Sequence, residues 1–137
     1  VLFDTNVILD VLLARAPHAE PAIALLDRVA AKEVHGMLGA TTVTTIHYLA
    51  SKALGPRGAR QHLRTLLGLF DIAPVTRAVL TDALDLSFPD YEDAVLHESA
   101  RHAGAEAIVT RDSQGFMKGK LTVYAPAELV RLLRAVP

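Results

Sequence analysis

The chain is 137 residues long, enough to bury an apolar core, and is 51% apolar but only 5% aromatic with no Trp, so Leu, Val, Ile and Ala must fill that core. A net charge of −1 argues against a protein that coats nucleic acid, which relies on phosphate neutralisation, but allows an enzyme that binds briefly and offsets phosphates with metal ions. The absence of Cys removes disulfides, thiolate nucleophiles and cysteine zinc sites, and no apolar run reaches the roughly 18–20 residues of a membrane span.

Val1-Leu2-Phe3 reads as a short buried strand stopping at Asp4-Thr5-Asn6, with no signal-peptide pattern at this end and a cytoplasmic setting expected. Val7 to Leu13 follows as a helix, capped by Thr5 or Asn6 and broken at Pro17. Apolar residues at 22, 25, 26, 29 and 30 give helical spacing from His18 to Lys32. Val34 to Leu38 is the second strand, and Val43 to Leu54 a helix ending at Gly55-Pro56. Arg57 to Leu69 is the next helix, Ile72 to Val75 the third strand, and Thr76 to Leu86 another helix. Asp90 to Ala103 forms a further helix that stops at Gly104. Ala107 to Thr110 is the fourth strand, ending in Arg111-Asp112, and Leu121 to Tyr124 the fifth. Pro126 opens a final helix reaching about Ala135. Helices alternating with short apolar strands indicate a three-layer α/β/α sandwich with a central, mainly parallel sheet. No repeat, linker or low-complexity tract interrupts residues 1–137, so one domain is expected.

Ligands of such folds bind outside the carboxyl ends of the strands. Asp4 and Asp112 each follow a strand, and Phe88-Pro89-Asp90-Tyr91-Glu92-Asp93-Ala94 adds acids at a helix start. Asp90 and Asp93, three apart, share a helical face, whereas Glu92 points elsewhere. Carboxylates gathered at one point raise one another's pKa unless a cation intervenes. Hard Mg²⁺ or Mn²⁺ ions resolve that conflict and suit phosphate chemistry. Each acid alone is equally well read as a helix cap.

These segments resemble the PIN-domain family, especially its VapC-like ribonuclease toxins from toxin–antitoxin modules. Val1-Leu2-Phe3-Asp4-Thr5-Asn6-Val7 matches the opening strand and D-T-N signature, Asp90-Tyr91-Glu92-Asp93-Ala94 the acidic segment, and Thr110-Arg111-Asp112 the ending of the fourth strand. The resemblance implies an endoribonuclease dependent on Mg²⁺ or Mn²⁺, held by Asp4, Asp93 and Asp112 with Asp90 as a fourth acid and Thr5 or Asn6 supporting the site. It further implies hydrolysis without a side-chain nucleophile, leaving a 3′-hydroxyl and a 5′-phosphate. It also implies a homodimer and an antitoxin partner that blocks the groove.

One departure stands out. The family usually carries a Glu in the helix after the second strand, where this chain reads Thr44-Thr45-Ile46-His47-Tyr48-Leu49 and Thr45 takes the Glu position. A catalytically weak or inactive PIN-like binding or assembly module is therefore the alternative reading. Arg111, Thr110, Lys52 and His47 are candidate substrate contacts, and the basic run from Lys52 to Arg64 a candidate guide for RNA phosphates. His18, His35, His62, His97 and His102 lack zinc spacing and read as surface or structural residues. The Gly115 to Lys120 loop is placed at the border of the site. A haloacid-dehalogenase phosphatase would need an acid two residues after Asp4, where Asn6 stands; a receiver domain fits the motif order poorly.

Overall fold

The computed structural model describes residues 1–136. Five parallel strands form one sheet in the order β3-β2-β1-β4-β5, namely β1 (Leu2–Phe3), β2 (Met37–Gly39), β3 (Asp71–Ala73), β4 (Ala107–Val109) and β5 (Thr122–Tyr124). The helices are α1 (Thr5–Leu12), α2 (Ala19–Ala30), α3 (Ala40–Leu69), α4 (Arg77–Leu84), α5 (Tyr91–His102) and α6 (Pro126–Ala135), and one 3₁₀ turn spans Ser113–Phe116.

The three layers follow from strand alternation. Successive strand side chains point to opposite faces. Phe3, Leu38 and Val109 enter one core with Val7, Ile8, Leu25, Ile46, Leu66 and Leu129, under α1, α2, α3 and α6. Their neighbours Leu2, Met37 and Ile108 enter the opposite core, with Leu96 and Ala100 of α5 and with Phe116. α4 packs outside α5 through Val79, Ala83, Ala94 and Val95. The three central strands, β2, β1 and β4, are buried on both faces and correspondingly apolar. Among the described residues no helix is long and apolar enough to cross a membrane.

Three boundaries differ from the sequence reading. β2 starts at Met37, because its register partners in β1 and β3 begin there; Val34 instead packs into the first core. α3 starts at Ala40, three residues before Val43; the expected break at Gly55-Pro56 is present, Gly55 adopting φ 81°, ψ 159° between two helical segments, a conformation suited to glycine. The cap of α1 is Asp4, not Thr5 or Asn6: its Oδ1 accepts from Thr5 N at 2.7 Å.

Candidate metal centre

β1 lies between β2 and β4, which puts the carboxyl ends of β1 and β4 side by side. Asp4 N donates to Val109 O at 3.0 Å, and Thr110 follows immediately. The Thr110 hydroxyl donates to Asp4 Oδ2 at 2.7 Å and accepts from Asp112 N at 3.0 Å. Asn6 completes the knot: Nδ2 reaches Thr110 Oγ1 at 3.3 Å and Asp4 Oδ2 at 3.5 Å, and Oδ1 accepts from Arg111 N at 3.2 Å. Asp4 and Asp112 are thus held by one hydroxyl between two strand ends. The start of α5 brings the third acid, with Asp90 capping it by accepting from Asp93 N at 3.1 Å.

Asp4, Asp90, Glu92, Asp93 and Asp112 line an open cleft of about 460 Å³, together with Thr5, Asn6, Thr45, Arg15 and Arg111. Gly115 lies beside two of these acids. A Cβ there would stand 3.0 Å from both Asp93 Oδ2 and Asp112 Oδ2, so these oxygens are at most twice that distance apart and a side chain at 115 would crowd both. Among the described residues neither the Asp93 nor the Asp112 side chain accepts a protein hydrogen bond. Burial raises the Asp4 pKa, and the Asp112 charge adds to it, against the hydrogen bonds from Thr110 and Thr5. Asp93 is pushed up to about 6, by burial first and then by Asp90, Asp4, Asp112 and Glu92. An all-oxygen, anionic donor set with two unengaged carboxylates fits a hard divalent cation.

A family model described as PIN domain matches residues 1–114. The chain belongs to the PIN-domain family. No curated protein matches it. Among solved structures, a toxin–antitoxin complex from Klebsiella pneumoniae is similar at 22% identity and TM-score 0.70, covering 92% of this chain and 97% of that one. VapBC2 from Rickettsia felis, bound to a DNA fragment from its promoter, is similar at 14% identity and TM-score 0.71, covering 90% and 96%. A Mycobacterium tuberculosis VapC toxin that cleaves the sarcin–ricin loop is similar at 16% identity and TM-score 0.60, covering 78% and 85%. At these identities the likeness is one of fold.

Within this PIN domain the remaining sequence candidates separate clearly. Thr45 lines the cleft, but its hydroxyl donates to Thr41 O at 3.1 Å, so the position usually held by Glu carries no charge. Glu92 also lines the cleft, because side chains in a helix's first turn splay around its end. Thr110 is not a substrate contact: it is fully buried and its hydroxyl is used to hold the acids. His47 and Lys52 do not line the cleft; Lys52 lies over the Tyr48 ring at 4.3 Å. Arg57, Arg60 and Arg64 are exposed along α3.

The sequence reading missed Asp10. It is wholly buried and takes Arg111 Nε at 2.6 Å, Arg111 Nη2 at 3.1 Å and Arg15 Nε at 2.8 Å. Arg111, read as a substrate contact, therefore spends its guanidinium on Asp10 while bordering the cleft. This triad ties α1 to the segment after β4, and both of its arginines line the cleft. A carboxylate inside an otherwise apolar helical run was the available signal.

A second group stands apart from the cleft. Asp82, Glu98 and His102 each place a ligand atom within 4.8 Å of the others, the one such trio of His, Asp or Glu among the described residues. The strand-end acids are spaced more widely. Arg101 occupies the trio, however, binding Glu98 at 3.0–3.1 Å and Asp82 at 3.2 Å. A guanidinium already supplies the positive charge that a metal would bring, so this group reads as an ion-pair network joining α4 to α5.

Proposed function

We propose that this PIN domain is a metal-dependent endoribonuclease, acting as one domain over residues 1–137 in the cytoplasm and serving as the toxin of a toxin–antitoxin pair. The observation that carries the reading is the meeting of Asp4, Asp93 and Asp112 in one cleft, with Asp90 at its edge. These acids are the proposed ligands of Mg²⁺ or Mn²⁺. When bound, such an ion polarises a phosphodiester and offsets charge on the leaving oxygen. The chain's own part is to place acceptors: Thr110 and the Thr5 amide fix both Asp4 oxygens, while Asn6 ties Asp4 to the Arg111 backbone. Arg15 and Arg111 border the cleft and moderate its negative field for an approaching phosphate.

RNA as substrate is supported by the sarcin–ricin-loop activity of the M. tuberculosis relative, and an antitoxin partner by the K. pneumoniae complex. A homodimer is part of the same reading, by family resemblance. The uncharged Thr45 favours a second reading, a PIN module that binds metal without turnover.

Partner-free protein incubated with a structured RNA pool is expected to cleave it with Mg²⁺ or Mn²⁺ and not with EDTA. Asp4→Asn should lower the rate by about a hundredfold or more, as loss of several kcal/mol of charge stabilisation implies. Folded protein that binds Mn²⁺ by calorimetry yet cleaves nothing would establish the second reading. Folded protein that binds no Mn²⁺ would remove the site altogether.

A further inference from the structure

His97 lies four residues after Asp93 on α5 and is completely buried. It does not line the acidic cleft, and all its polar atoms are engaged. Nε2 accepts two backbone hydrogen bonds, from Lys120 N at 3.0 Å and Leu121 N at 3.2 Å. An atom accepting two N–H groups carries no hydrogen, so the ring hydrogen sits on Nδ1, which donates to Glu98 Oε2 at 2.8 Å. Burial alone would push the Glu98 carboxyl up, but hydrogen bonds from Arg101 and His97 outweigh it and hold it below the usual range. The Asp82–Arg101–Glu98 network thus fixes the imidazole tautomer from behind.

The segment so gripped is the one that brings Gly115 up against two of the acids. From Asp112, whose amide is tied to Thr110, the chain makes its 3₁₀ turn and runs to β5. Phe116 is buried against Phe88, which also packs on His97. Gly119 passes so close to the imidazole that a Cβ would overlap Nε2. Between those two anchors sits Gly115, against Asp93 and Asp112. Thr110 fixes one end of the segment and His97 the other.

We propose that His97 is a positioning residue for the acidic cleft: its imidazole seats the 113–121 segment, and with it Gly115, against the Asp93 and Asp112 carboxylates. Its effect passes through backbone and reaches the acids without touching them. The inference rests on the metal-site reading above.

The test is Mn²⁺ titration by calorimetry, with amide hydrogen exchange, on wild type, His97→Met, His97→Gln and Gly119→Ala, well below each melting point. His97→Met removes the acceptor; Gln restores an oxygen near the Nε2 position; Gly119→Ala forces the segment off the ring without altering α5. His97→Met and Gly119→Ala should lose about tenfold or more in Mn²⁺ affinity, the usual scale for outer residues that orient ligands. Exchange should rise over residues 113–121, and His97→Gln should recover much of both. Should His97→Met not fold, Gly119→Ala carries the test. Wild-type protein that fails to bind Mn²⁺ would defeat the metal-site reading itself. Wild-type binding with unchanged affinity in folded variants, despite faster exchange in the segment, would overturn the role of His97 alone.

Discussion

The double substitution Arg15→Ala/Arg111→Ala is expected to destabilise the protein by about 3–5 kcal/mol, the scale of a buried ion pair stripped of its partner. Asp10 is 0% exposed, whereas the Arg15 and Arg111 side chains are 39% and 31% exposed. That asymmetry sets the ranking. Without the arginines a carboxylate stays buried with neither water nor cation. With Asp10→Asn, both guanidinium groups can turn to solvent, so the cost should be smaller, about 1–2 kcal/mol. Adding Asp10→Asn to the double variant should then restore stability, since the stranded charge is gone. Urea unfolding of the four proteins measures this. A double variant no less stable than Asp10→Asn would show that the triad is incidental to folding.

This triad also marks where sequence reasoning stopped. The alternation of helices with short apolar strands was enough to place the sheet, and Gly55-Pro56 enough to place the break in α3. Asp4 and Asp112 were legible because a strand end is a local feature and two such ends in a parallel sheet open on the same edge. Asp10 was not, because its partners lie 5 and 101 residues away and an acid in a helix is read by default as solvent-facing. Thr110 was placed on the right strand end with the wrong task. Its neighbour in sequence is the acid, but its side chain turns inward to Asp4, and only the pairing of β1 with β4 reveals that. His97 lacked any spacing signal for the same reason: what it grips is the backbone of residues 120 and 121, and backbone amides leave no trace in side-chain pattern. Local chemistry was readable; contacts across the sheet were not.

Asp93→Asn is expected to stabilise the metal-free protein at neutral pH while sharply weakening its response to Mn²⁺. A free Asp titrates near 3.8, and in the folded chain Asp93 is pushed up to about 6 by burial and by the surrounding acids. Between those values the folded state holds a proton that the unfolded state has released, so stability falls as pH rises through that window. Above about 6 the full penalty is present; below 3.8 both states are protonated and it vanishes. Taken at face value the displacement is worth ~3 kcal/mol. Asp93 is only half-buried, so solvent screening brings this to about 1 kcal/mol, or roughly 3–5 °C in melting temperature for a chain of this length. Asn carries no charge, so its advantage should be absent near pH 3.5, grow through pH 4–6 and level off by pH 7–8. Saturating Mn²⁺ should reverse the order at pH 7.5, because binding to the native state adds stability that the variant, lacking one ligand, gains far less. Thermal melts of both proteins across pH, with and without Mn²⁺, test both halves together. An Asn variant that is never the more stable in EDTA would mean that neither burial nor the neighbouring acids penalise the Asp93 charge, and with that the physical reason for a cation in this cleft would be lost.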